Sequence, residues 1–114
     1  MTIETTGDVM ARFPRLTVLN SMIDVGLVPV FHHEDIDTAK SIVTALSRGG
    51  ARVVEFTNRG DHAFETFSEL ERYCSAEHPE VILGAGSVID ELTAGTYINL
   101  GANFVVGPSL DRRV

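Results

Sequence analysis

Between residues 27 and 107 the chain alternates short apolar runs with longer stretches in which apolar residues recur every three or four positions. The runs are "LVPVF" (27–31), "RVVEF" (52–56), "EVILGAG" (80–86) and "NFVVG" (103–107). Several of their residues are β-branched and none alternates strictly with polar ones, which predicts strands buried on both faces of a parallel sheet. The stretches between them predict helices. Ile36, Ala39, Val43 and Leu46 share one face, Glu34, Asp35 and Asp37 suit the positive N-terminus of that helix, and Gly49–Gly50 stop it. Phe64, Phe67, Leu70 and Cys74 form the core-facing stripe of the next, with Asp61 as its N-cap and Pro79 beyond its end. Asp90 caps a third helix carrying Ala94, Tyr97 and Ile98, which Gly101 closes. A leading helix over 16–25 places Leu16, Leu19 and Ile23 on one side.

The predicted order is a leading helix, then four parallel strands alternating with three helices, a strand beginning roughly every 25 residues. The phrases "GGARVVEF" and "LGANFVVG" repeat one grammar: a helix-stopping glycine, an alanine, a polar residue and an apolar strand. Any α/β protein can repeat such a phrase. Two architectures accommodate it, an open doubly wound sheet or part of a (β/α)₈ barrel. A barrel typically needs ~250 residues. At 114 residues, length alone favours the open sheet. Four strands on their own leave two sheet edges unpaired, open to another chain.

Composition narrows the class. A length of 114 residues and 44% hydrophobic content fit a single α/β unit over 1–114, with 1–14 expected to be a flexible lead. No apolar run is long enough to cross a membrane, and the polar start "MTIETTGDVMARF" lacks the apolar core of a signal peptide. Cys74 is the single cysteine, so a reducing, cytoplasmic setting is expected. A net charge of −7 argues against a nucleic-acid surface. Against eight arginines there is one lysine, Lys40.

In a parallel α/β fold, chemistry gathers at the carboxyl ends of the strands. Those ends carry His32–His33, then Glu55 with Thr57, Asn58 and Arg59, then "GAGSV" (84–88), then Gly107, Pro108 and Ser109. Glu55 stands out, because a carboxylate on a buried strand is costly unless paired or protonated. Burial raises its pKa toward the range a general acid/base needs, whereas an Arg59 ion pair would lower it and tie strand to loop. Either reading fits the residues. The glycines of "GAGSV" let the backbone approach a ligand, and Ser87 with nearby amides suits a carboxylate or phosphate. A tight strand-to-helix turn explains the same letters. His32 and His33 are adjacent and point apart on an extended chain, which is poor metal-chelating geometry. Cys74, Phe64 and Phe67 read as core.

Taken together, "GLVPVF…AKSIVTALSRGGARVVEFTNRG…PEVILGAGSVID…LGANFVVGPSL" resembles the bacterial 2-keto-3-deoxy-6-phosphogluconate (KDPG) and 4-hydroxy-2-oxoglutarate (KHG) aldolases, over about Gly26–Leu110. The joint spacing carries the resemblance: Glu-x-Thr-x-Arg after the second strand, Gly-Ala-Gly-Ser-Val after the third, and proline directly after the fourth. It implies the first half of a (β/α)₈ TIM barrel, class I (Schiff-base) cleavage of a small 2-keto acid, a homotrimer, and no metal or organic cofactor. It makes Glu55 the acid/base glutamate and Arg59 a ligand of the pyruvyl carboxylate. Gly84, Ala85, Gly86 and Ser87, with Pro108, surround that carboxylate. Relatives often carry threonine at the Ser87 position and leucine at the Asn58 position, and the resemblance assigns Asn58 no role.

The family's Schiff-base lysine comes from a later strand, in a Lys-x-Phe-Pro motif that does not occur in this sequence. Lys40 falls on a helix expected to pack outside the barrel. The alternative is a catalytically incompetent half-barrel that self-associates or binds a small keto acid. A standalone doubly wound domain is a third reading, and it requires the first strand to lie between the second and third.

Overall fold

The computed structural model describes residues 11–114. Its elements are α1 (Arg15–Val25), β1 (Val30–Phe31), α2 (Ile36–Arg48), β2 (Val53–Thr57), α3 (Ala63–Glu77), β3 (Ile82–Gly86) and α4 (Glu91–Asn99). The three strands are parallel in the order β1-β2-β3. Sequential order is the barrel arrangement. It excludes the doubly wound reading, which needed β1 between β2 and β3.

The fourth predicted strand is present only as an edge. Asn103 N–H donates to the Leu83 carbonyl at 3.0 Å, Ala85 N–H to the Phe104 carbonyl at 3.1 Å, and Val106 N–H to the Ala85 carbonyl at 2.9 Å. These bonds make one parallel bridge, Ala85 to Val105, rather than a continuous ladder. β1 is likewise only two residues long. The reason is shared: β2 and β3 are buried along their full length, while each outer run has a neighbour on one side only. Strands 30–31 and 103–106 are therefore short and half-solvated.

Alternation along the strands splits the sheet into two faces. Val54, Phe56, Leu83 and Ala85 face a core built with Ala39 and Val43 of α2, Phe67, Leu70 and Cys74 of α3, and Ala94 and Tyr97 of α4. Val53 and Ile82 face the other way, against Val18 and Met22 of α1 and against Phe13 and Phe104. Register places Glu55, Thr57, Gly84 and Gly86 on this second face, nearer the carboxyl ends. So α1 closes the amino end of the inner face and leaves the carboxyl end to polar residues.

Local chemistry explains the helix starts. Asp35 and Asp90 cap α2 and α4 by accepting from the Thr38 and Thr93 amides at 2.9 and 2.8 Å. For α3 the expected Asp61 cap is replaced by His62, whose side chain makes no capping bond. The expected face of α1 is also corrected. Leu16, Leu19 and Ile23 are exposed, and Val18 and Ser21 are buried instead. Both stripes have helical period, and it is the α1–β2 packing that selects one. Phe64 and Ile98 are part-exposed rather than core, although the Phe64 ring still packs on Tyr97 with centroids 4.8 Å apart.

Residues 1–10 of the expected flexible lead lie outside the described residues. In its described part the chain is anchored. Arg12 donates to the Glu71 carboxylate and to the Pro79 and Val81 carbonyls, each at 3.0 Å, and Phe13 N–H donates to Asn103 Oδ1 at 3.1 Å. Among the described residues no helix is long and apolar enough to cross a membrane.

Candidate functional site

β2 delivers Glu55 to the inner face, in register with Val30 on one side and Gly84 on the other. The residue is 9% exposed and its side chain lies over Gly86, where any Cβ would overlap the carboxylate. Burial pushes its pKa above the ordinary glutamate value. Among the described residues no donor hydrogen-bonds to it and no cation pairs with it. The Glu55–Arg59 ion pair considered from sequence is therefore not formed, and desolvation alone sets the direction of the shift.

The glycines of "GAGSV" have partners of their own. A Cβ on Gly84 would meet the Phe104 ring within 2.5 Å, and the absence of one on Gly86 makes room for Glu55. They admit side chains of the protein itself, which the sequence reading did not anticipate. Ala85 is turned away from the inner face: its side chain is in the outer core, and its amide and carbonyl serve the 103–106 edge. Ser87 is exposed and adopts φ +58°, a left-handed conformation that costs a non-glycine residue roughly 1–2 kcal/mol. Such strain is tolerated where surrounding structure holds it, commonly at functional turns.

Arg59 lies two residues beyond β2, exposed and free of ion pairs among the described residues. It lines a cleft of about 230 Å³ with His32, Glu34, Asp61, His62 and Thr66. Pro108 lines a separate depression of about 350 Å³ with Val88, Val105 and Leu110. Strand order puts Glu55 and Gly86 between them. All of these groups stand on one rim, but they do not share one enclosed pocket.

Only one of the two histidines is hydrogen-bonded, since His32 Nδ1 is buried without a hydrogen-bond partner among the described residues. His33 Nδ1 accepts from the Asp35 amide at 3.0 Å, and the His32 ring leans on Phe56. Among the described residues no three metal-ligating side chains gather. Lys40 lies on α2 with its ammonium 5.5 Å from the centre of the Tyr73 ring, on the helical layer and away from the strand ends. Cys74 is fully buried, and burial pushes its thiol up to about 12, so it is inert.

Three further residues shape the site, although the sequence assigns none of them a role. Thr57 is buried on the inner face, in register with Gly86. Phe104 fills the space over Gly84. Asn58, which had no assigned role, accepts at Oδ1 from the Tyr97 hydroxyl at 2.6 Å, while its backbone N–H donates to the Gly86 carbonyl at 2.8 Å. A polar residue on the outward parity of a buried strand end was the signal available for Asn58.

A family model described as KDPG and KHG aldolase matches residues 18–114. The chain belongs to the KDPG/KHG aldolase family. It is 32% identical over 99 residues to the 2-dehydro-3-deoxy-phosphogluconate aldolase of Treponema pallidum, covering 87% of this chain and 45% of that one. It superposes with a TM-score of 0.72 and 31% identity on the 2-keto-3-deoxy-6-phosphogluconate aldolase of Zymomonas mobilis ZM4 with 3-phosphoglycerate, covering 84% and 44%. A third aldolase, from Legionella pneumophila with pyruvate captured as a covalent carbinolamine intermediate, superposes at 0.67 with 28% identity, covering 75% and 40%. The chain thus spans about half the length of the aldolases it matches, and its fold is the first half of their barrel.

Proposed function

We propose that this aldolase-family chain carries the acid/base and carboxylate-binding half of a class I aldolase site. The reaction is cleavage of 2-keto-3-deoxy-6-phosphogluconate, 4-hydroxy-2-oxoglutarate or both. It releases pyruvate with glyceraldehyde 3-phosphate or glyoxylate. The observation that carries this reading is Glu55: a buried carboxylate, unpaired among the described residues, at the mouth of a parallel sheet, with its pKa raised by desolvation. A group of that kind, with its charged form disfavoured by burial, is suited to taking up and releasing a proton as a general acid/base.

An amine attacks the C2 carbonyl of the keto acid, and loss of water from the carbinolamine gives an iminium ion. Glu55 protonates the departing hydroxyl. It then takes the proton of the C4 hydroxyl as the C3–C4 bond breaks, and the bonding pair moves into the iminium to form an enamine. Protonation at C3 and hydrolysis release pyruvate and regenerate the amine. Arg59 holds the C1 carboxylate by charge-assisted hydrogen bonds. Ser87 and Pro108 complete the wall around it, while Gly84 and Gly86 serve the site indirectly by seating Phe104 and Glu55. The amine comes from a lysine outside these 114 residues, and the working protein is a cytoplasmic homotrimer.

A second reading follows from Lys40, the only lysine, whose place over Tyr73 keeps it from the rim. These residues alone would bind a keto acid or self-associate without cleaving it. Borohydride reduction of the natural gene product in the presence of pyruvate separates the two. A stable adduct on a lysine other than Lys40, with release of pyruvate from either substrate, supports the aldolase. No adduct and no turnover leave the half-barrel reading.

A further inference from the structure

Arg59 has no side-chain anchor among the described residues, and Gly60 follows it at φ +85°. Its position therefore depends on the residue before it. Asn58 is held twice, by its backbone amide on the Gly86 carbonyl and by its side chain on the Tyr97 hydroxyl. Tyr97 is itself immobilised: fully buried, edge-on to Phe67 with centroids 5.1 Å apart, and covered by Phe64.

We infer that the Tyr97–Asn58 hydrogen bond is a positioning device that fixes the 58–60 turn, and through it the guanidinium of Arg59, to helix α4. The inference deepens the aldolase reading and rests on it for the role of Arg59. The two bonds of Asn58 join three elements at one point: α4 through Tyr97, the end of β2 through Asn58 itself, and β3 through Gly86. Oδ1 can only accept, so the hydroxyl donates. Burial pushes the Tyr97 hydroxyl up to about 12, so it remains a donor throughout the working pH range. Carboxylate binding then depends on a residue of the helical layer that never touches substrate.

The test uses the full-length protein with Tyr97→Phe, which keeps the ring and its packing, Asn58→Ala, and the double variant. A positioning role raises KM for the keto acid about five- to tenfold in Tyr97→Phe, with kcat within about twofold, as expected for one lost buried hydrogen bond. The double variant should be no worse than Asn58→Ala, and amide exchange at Arg59 and Gly60 should quicken in both single variants. A lower melting temperature with KM unchanged would make the bond merely structural and overturn the inference. If wild type neither turns over nor traps pyruvate, the aldolase reading falls instead. The exchange data then decide the positioning inference, and unchanged protection at Arg59 and Gly60 in Tyr97→Phe defeats it.

Discussion

The Glu55 carboxylate lies over Gly86 of the neighbouring parallel strand, in the space a Cβ would take. The acid/base candidate is thus seated by a missing side chain. Gly86 needs no unusual backbone angle, so the constraint is steric rather than conformational. Gly86→Ala must push Glu55 aside or part β2 from β3. The expected cost is about 1–3 kcal/mol, typical of overpacking, together with a fall in kcat of at least ~10-fold from a displaced catalytic group. Urea denaturation and cleavage rates measure the two separately. Full activity in Gly86→Ala would mean that Glu55 is not held where the chemistry needs it.

Burial raises the Glu55 pKa, so the native state holds this proton more tightly than the unfolded chain. Its contribution is fully present at pH below the ordinary glutamate value and is lost as pH rises through the folded value. Glu55→Gln abolishes that dependence. The variant and wild type should have similar urea midpoints in acid, and the variant should become the more stable as pH rises. Its aldolase rate should drop roughly 10²–10⁴-fold, the usual worth of a general acid/base. If wild type instead gained stability over the variant with rising pH, the carboxylate would have to be paired in the native state.

Arg59 is exposed and carries no ion pair among the described residues, so its loss should leave stability within about 0.5 kcal/mol. As a carboxylate ligand it should matter to binding. Arg59→Ala is expected to raise KM roughly 10- to 100-fold, the range for a charged hydrogen bond. Arg59→Lys should recover only part, because a point charge cannot reproduce the planar fork. Steady-state kinetics beside a thermal melt would show the split, and a KM unmoved by Arg59→Ala would remove it from the site.

The runs that form β2 and β3, the helix faces of α2 and most of α3, and the rim positions of Glu55, Arg59, Ser87 and Pro108 were legible because they follow from period and from parallel topology, whereas the outer runs shrink to two residues and one bridge. What the sequence hid depended on contacts between distant segments. Leu16, Leu19 and Ile23 share the helical period of the buried stripe, and only α1 packing on Val53 and Ile82 separates the two. The purpose of Gly84 and Gly86 lies in Phe104 and Glu55, neither of which a local motif names. Ala85 sits inside the motif yet faces the helices, because strand alternation sends every second residue outward. Asn58 lacked meaning until Tyr97, on α4, came within hydrogen-bond distance.

The anchoring of the lead is the same kind of long-range fact, and it makes a prediction about stability alone. Arg12 bonds to the Glu71 carboxylate of α3 and to two carbonyls, those of Pro79 and Val81, just before β3 begins. Its side chain is 24% exposed, so the ion pair is partly screened, but removing it strands two backbone acceptors as well. Arg12→Ala should destabilise the fold by about 1–3 kcal/mol, and Arg12→Lys should restore less than half, since one ammonium cannot span three acceptors in a plane. The latch is at the amino end of β3, whereas the rim is at the carboxyl ends. Below the melting transition, kcat and KM should therefore match wild type. An altered KM in Arg12→Ala would show that the two ends of the sheet are coupled, and the separation of latch from rim would have to be given up.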